Sequence, residues 1–245
     1  AYAAAECYMP DRKRITDMTL EETLRQIQPL DKQAIDAAWK HWDSIAKPLR
    51  SLGKLEQVVV QAAGIQRTPK VDLTRKALIV LCADNGVVEE GVTQTGQEVT
   101  AQVAENFLQE KATAGILCRK TGADIFPVDM GIYRDTCIRN CKIAYGTKNM
   151  AKEPAMTREQ AIQGIETGIM LALEKKKEGY QLLATGEMGI GNTTTSSAMA
   201  SVLLHREPEE VTGRGAGLST AGLNKKVETI KKAIAMHKPD PEDPI

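Results

Sequence analysis

The sequence predicts an α/β fold with a doubly wound parallel sheet. Three short apolar runs, ALIVLCADNGV (77–87), GADIFPVDMGI (122–132) and QLLATGE (181–187), read as strands. Stretches with helical periodicity separate them, the alternation expected of parallel strands joined by helical crossovers. Polar residues and glycines also close these runs, as at the carboxyl ends of buried parallel strands. A chain of 245 residues is long enough for one such domain, or for one with a smaller helical annex.

The first third reads as helical. TLEE (19–22) has the spacing of a capping box. From Asp31, the residues Ile35, Ala38, Trp39, Trp42 and Ile45 recur at helical intervals, and Pro48 stops the run. The two tryptophans are expected to pack in a core. SLGKLEQVVVQAAGIQ (51–66) gives a helix ending near Gly64. After the first strand, helices follow from Gln97 and around 112–120. The clearest helix opens at Thr157 with Gln160 as capping box. Its apolar face runs through Ile162, Ile165, Ile169 and Leu173, and Gly179 stops it.

Composition narrows the function classes. Basic and acidic residues are equal at 32 each, so bulk charge gives no reason to expect nucleic acid or an anionic membrane. Aromatics are only 4%, which disfavours recognition by rows of stacking rings. No apolar run approaches the roughly 18 residues that span a bilayer. The opening AYAAAECYMPDRKRI lacks a signal-peptide core and is expected to be a mobile or processed start. Among the five cysteines, Cys82 and Cys118 read as buried free thiols. Cys137 and Cys141 form a CxxxC pair too poor in neighbouring ligands for a tetrahedral metal site. Neither a metal nor a cofactor is expected, and a reducing, cytoplasmic setting fits best.

In a parallel sheet, ligands lie at the carboxyl ends of the strands. Three polar clusters fall there: Asp84-Asn85-Gly86, Asp129 with Gly131, and Glu187 with the glycines after it. The third belongs to TGEMGIGNTTTSS (185–197), which ends a strand and begins a helix. Gly189 and Gly191 allow close backbone approach, Asn192 or Thr193 can cap the helix, and free N–H groups at its positive end suit a phosphate. A capped corner with glycines for packing is the rival reading. VTGRGAGL (211–218) is a second glycine-rich segment, and Lys226, at the start of the following helix, could meet a phosphate from the other side or lie solvated. No GxxxxGK[ST], GxSxG or dinucleotide GxGxxG is present, and His41, His205 and His237 read as surface or packing residues. Acid–base work falls to Asp84, Glu98, Asp129 and Glu187.

KPLRSLGKLE, CADNGVVEEGVTQTGQEVTAQVAENFL, GEMGIGNTTTSSAMASVL and VTGRGAGLSTAGLNKKVETIKKAI, in this order, resemble the nicotinate-nucleotide:dimethylbenzimidazole phosphoribosyltransferases of cobamide biosynthesis. The similarity runs from about Leu30 to Ile245. It implies a Rossmann-like parallel sheet flanked by helices, with a small helical domain built from both chain ends. Residues 1–72 would contribute to the small domain and 73–245 would form the core. It further implies displacement of nicotinate from nicotinate mononucleotide by an aromatic base, and a dimer, of like chains or with a related chain. Carried over by motif, Glu187 is the active-site carboxylate. Gly189, Gly191, Asn192, Thr193, Gly213, Gly215 and Lys226 hold the phosphate, and Asp84, Asn85, Thr95 and Val103 line the base pocket.

Two positions depart from the family pattern. Asn85 stands where members often have His, and Val103 where some carry a polar residue, so the accepted base stays open. Family chains also continue past HKPDPEDPI into a segment with the Glu usually assigned as general base. The expectation is therefore a C-terminally incomplete chain. A nucleotide-binding partner subunit without turnover is the alternative, and a dinucleotide oxidoreductase a distant third.

Overall fold

The computed structural model describes residues 18–245, so the expectation for the opening stretch lies outside the described residues. Four parallel strands form one sheet in the order β3-β2-β1-β4: β1 Lys76–Ala83, β2 Ala123–Gly131, β3 Arg139–Asn140 and β4 Leu182–Met188. The helices are α1 Leu20–Gln26, α2 Lys32–Ser44, α3 Lys54–Gln66, α4 Glu98–Leu108, α5 Thr113–Thr121, α6 Arg158–Lys177, α7 Asn192–Leu203, α8 Pro208–Val211 and α9 Thr220–His237. A 3-10 turn, Gly86–Glu90, follows β1. This is the expected Rossmann-like parallel arrangement.

Side-chain alternation along β1 feeds two cores. Val80 and Cys82, with Leu78, pack against Ala101, Ala104 and Phe107 of α4 and against Ala114 of α5. Ile79 and Leu81 point the other way, to Leu171 and Met170 of α6. Both faces of β1 are therefore covered, which is why its sequence is an unbroken apolar run. Cys82 is fully buried, and that burial, with the Asp129 charge adding to it, pushes its thiol pKa up to about 12.

The predicted signals hold at several helix ends. Thr19/Glu22 and Thr157/Gln160 both form reciprocal capping boxes. Gly179, at φ +89°, ends α6 with the Gly179 amide on the Lys176 carbonyl and the Tyr180 amide on that of Lys175. Other expectations need correction. Arg67 in the left-handed region, rather than Gly64, closes α3. The α6 stripe through Ile162, Ile165, Ile169 and Leu173 is only partly covered; the buried side chains are Leu171 and Lys175, because the helix turns that side to β1 and β2. The edge strand β3 and the short α8 were not read from sequence, being two and four residues long.

α2 and α3 pack on each other around Ala38, Val60 and Ala63, in a cluster separate from those on the sheet. Trp39 and Trp42 border this cluster half-buried, with the Arg50 guanidinium 3.6 Å from the centre of the Trp39 ring. Lys47 pairs with the fully buried Glu56 at 2.8 Å, which staples the 45–55 connection.

Candidate functional site

β1 and β4 are neighbours, yet the connections after β1 and before β4 cover opposite faces of the sheet. That switch in direction opens a crevice at their carboxyl ends, where ligands of such sheets bind. At the end of β1 the pairing slips, Cys82 facing Asp129 and Ala83 facing Gly131, so that β2 carries one extra residue there. Asp84 follows, fully buried. Its Oδ2 accepts a hydrogen bond from the Tyr133 amide (2.9 Å), while Oδ1 has no hydrogen-bond partner. Burial raises its pKa, and the Tyr133 amide opposes the shift.

Glu187 stands across the crevice at the end of β4, with Leu81 as its strand partner. Its carboxylate accepts a hydrogen bond from the Asn192 side-chain amide. Glu187 reaches solvent, but crowding at the mouth partly desolvates its carboxyl. This raises the pKa, and the Asn192 bond works in the opposite direction.

The glycines of the turn after Glu187 pack closely on the end of β1. A Cβ on Gly189 would sit 2.1 Å from the Ala83 carbonyl oxygen and 2.9 Å from Asn85 Nδ2. Gly191 has φ +90°, and a Cβ there would lie 2.9 Å from Val88. Both therefore let the turn press onto the end of β1, the contact that the packing reading expects. The helix start is also corrected. Gly191 is the N-cap and makes no side-chain cap bond, Asn192 turns back to Glu187, and the Asn192 and Thr194 amides already donate to the Gly189 and Gly191 carbonyls.

The anion-suited geometry lies one residue further along. Lys226 is in the second turn of α9, not at its start, and is 1% exposed rather than solvated. Its Nζ donates to Thr193 Oγ1 at 2.7 Å and to the Gly213 carbonyl at 3.2 Å, leaving one of three donors. Among the described residues no carboxylate lies within ion-pair distance of it, and burial lowers its pKa. A cleft of about 330 Å³ adjoins it, lined by Thr193, Ser196, Ser197, Val211, Gly213 and Gly215. Gly215, at φ +55°, would bring a Cβ within 3.0 Å of Thr193 Oγ1. The helical spacing of Thr193, Ser196 and Ser197 could have nominated the two serines; the sequence reading overlooked them.

Other candidates stand apart. Asp129 is 1% exposed but fully occupied. It accepts from the Gly131 and Ile132 amides, from Thr136 Oγ1 and from Lys142 Nζ at 2.9 Å, which makes it a structural tie and not an acid or base. Thr95 is exposed and offers its carbonyl to the Thr93 hydroxyl, whereas Val103 packs on the α4 core. Glu98 is exposed at the start of α4. Among the described residues no group of three or more His, Cys, Asp or Glu could hold a metal ion, and no helix is long and apolar enough to cross a membrane. Thr100 was not foreseen: its hydroxyl accepts from the Ile190 amide and anchors the turn to α4. A second cavity, about 180 Å³ beside β2 and β3, is mostly apolar, and its two cations, Arg139 and Lys175, are paired with Glu174 and Glu178.

The chain is similar to known phosphoribosyltransferases. The chain is 49% identical over 229 residues to the nicotinate-nucleotide--dimethylbenzimidazole phosphoribosyltransferase of Clostridium tetani, covering 92% of this chain and 63% of that protein. It is 48% identical to the protein of the same name from Ruminiclostridium cellulolyticum, covering 93% and 66%. The chain thus spans a little under two thirds of these relatives. A crystal structure of CobT from Thermus thermophilus superposes with TM-score 0.80 at 37% identity, over 84% of this chain and 63% of that one. The family model DBI_PRT, described as phosphoribosyltransferase, matches residues 27–245, and the chain belongs to that family.

Proposed function

We propose that the protein transfers phosphoribosyl from nicotinate mononucleotide to an aromatic base of the dimethylbenzimidazole kind, giving an α-ribazole 5′-phosphate and nicotinate. The observation that carries this reading is Lys226, a buried ammonium without a counter-charge among the described residues, beside a cleft of hydroxyls and glycines. A buried charge is costly unless paired, and a phosphate supplies the missing partner. The 5′-phosphate is held by Lys226 and Thr193, with Gly213 and Gly215 giving it room, while Gly189, Gly191 and Asn192 set the turn beside it. The ribose then lies toward Glu187.

The bond from the ribose carbon to the nicotinate nitrogen breaks, and its electron pair neutralises the pyridinium as nicotinate leaves. A ring nitrogen of the base forms the new bond from the opposite face, inverting β to α. Glu187 stabilises positive charge developing on the ribose carbon. The proton on the base's other ring nitrogen passes to a carboxylate or to water. The base approaches on the side of Asp84 and Asn85. The helices before residue 73 contribute to a small helical domain, and the core occupies 73–245. The protein works in the cytoplasm as a dimer, of like chains or with a related chain.

Chromatography of the protein incubated with nicotinate mononucleotide and 5,6-dimethylbenzimidazole tests the reading. Nicotinate and α-ribazole phosphate should accumulate in equal amounts. Nicotinate without the riboside, or neither product, would overturn it.

A further inference from the structure

Asn85 is only 8% exposed, and its polar groups reach three separate segments. Its Nδ2 donates to the Ile190 carbonyl at 3.3 Å, inside the turn that follows β4. Its Oδ1 lies 3.3 Å from Thr195 Oγ1, in the first turn of α7, and shares that hydroxyl's one proton with the Asn192 carbonyl at 2.9 Å. Its own carbonyl accepts from Gln97 Nε2 at 3.2 Å, at the start of α4. The turn is moulded around the same side chain: a Cβ on Gly191 would lie 3.3 Å from Asn85 Cβ, and one on Gly189 2.9 Å from Nδ2. One N–H of its amide and its Oδ1 are thus both engaged with the protein.

We propose that Asn85 is a positioning residue that fixes the 189–192 turn, and so the spacing between Glu187 and the Lys226–Thr193 pair, and that it does not read the incoming base. The inference rests on the phosphate and ribose assignments above. Its physical basis is the amide's double character. A planar carboxamide donates and accepts at once, so one side chain can hold a carbonyl of the turn and a hydroxyl of the helix in fixed relation. A carboxylate of the same shape keeps the acceptor and loses the donor, placing a negative oxygen against the Ile190 carbonyl. Glu187 and Thr193 flank this turn in sequence, with Asn192 bonded back to Glu187. A shift of the turn therefore moves the ribose and phosphate contacts together.

Calorimetric titration of nicotinate mononucleotide and, separately, of 5,6-dimethylbenzimidazole into the protein, Asn85→Asp and Thr195→Val tests this. At pH 8, Asn85→Asp should bind the mononucleotide about 3- to 10-fold more weakly, the scale of one lost hydrogen bond. The ratio to wild type should shrink toward pH 5 as the introduced carboxyl protonates and donates again. Thr195→Val, which removes the helix-side bond, should weaken the mononucleotide in the same direction without that pH dependence. Affinity for the base should stay within twofold in both. Wild-type mononucleotide affinity in both variants, or a change confined to the base, overturns the inference. Wild-type protein that does not bind the mononucleotide at all overturns the proposed function, and this inference with it.

Discussion

Asp129 and Lys226 are both charged, both 1% exposed, and both close to the carboxyl end of the sheet, yet they do opposite things. Asp129 has two backbone amides, a hydroxyl and the Lys142 ammonium around it, so every lone pair it needs is met from within. Lys226 has one hydroxyl, one carbonyl and, among the described residues, no counter-charge. Burial alone therefore does not mark a functional residue. Unfinished pairing beside open space does. Asp129 holds the 131–142 connection in place, whereas Lys226 keeps one ammonium N–H without a partner among the described residues.

The contrast can be broken from the Asp129 side first. Asp129→Asn strands the Lys142 ammonium, whose side chain is 7% exposed, without its partner. It should cost about 3–5 kcal/mol in urea-unfolding stability. A loss below 1 kcal/mol would mean the pair is not structural. Glu187→Gln should do the reverse. Its side chain reaches solvent, so stability should stay within about 0.5 kcal/mol. Turnover should fall about 100- to 1,000-fold, as when a preorganised charge stabilising a transition state is removed.

Gly189→Ala sharpens the comparison at the turn. The nearest obstacle is the Ala83 carbonyl, which cannot swing aside as a side chain would. Thermal or urea unfolding should show a loss of about 1–3 kcal/mol. Gly213→Ala, where a Cβ would meet nothing within 4 Å, should be far milder.

The smallest effect is in pH dependence. Burial raises the pKa of Asp84 above 3.8, so the folded protein holds that proton more tightly than the unfolded chain. The associated stability is complete below pH 3.8 and is lost as pH rises through the folded value. Urea midpoints across this range should fall more steeply with pH for wild type than for Asp84→Asn. Parallel profiles would show that Asp84 carries no such linkage.

Much of the fold was legible because it rests on local chemistry. Thr157 with Gln160, Gly179 and the run 77–83 each announce a cap, a stop or a buried strand by residue type and spacing. β3 and α8 were hidden because two or four residues carry no periodicity. The site was half legible. The polar residues at strand ends pointed to the crevice, but Asp129 and Asp84 look alike in sequence and differ only in what long-range folding brings to them. The same limit applies to Gly189 and Gly191, whose close neighbours proved to be Ala83, Asn85 and Val88 of the chain itself. For Lys226 the sequence left a phosphate contact and a solvated side chain both open, because nothing local announces the burial of its helix turn.

Under the proposed function, Lys226, which has no carboxylate near it among the described residues, meets the phosphate of the mononucleotide. Titration of nicotinate mononucleotide into wild type and Lys226→Met, with unfolding measured on both, tests it directly. The account predicts affinity about 10- to 100-fold weaker in the variant, the worth of a charge-assisted hydrogen bond, with stability within about 1 kcal/mol of wild type or higher. Undiminished affinity in Lys226→Met, or a stability loss as large as that of Asp129→Asn, would contradict it.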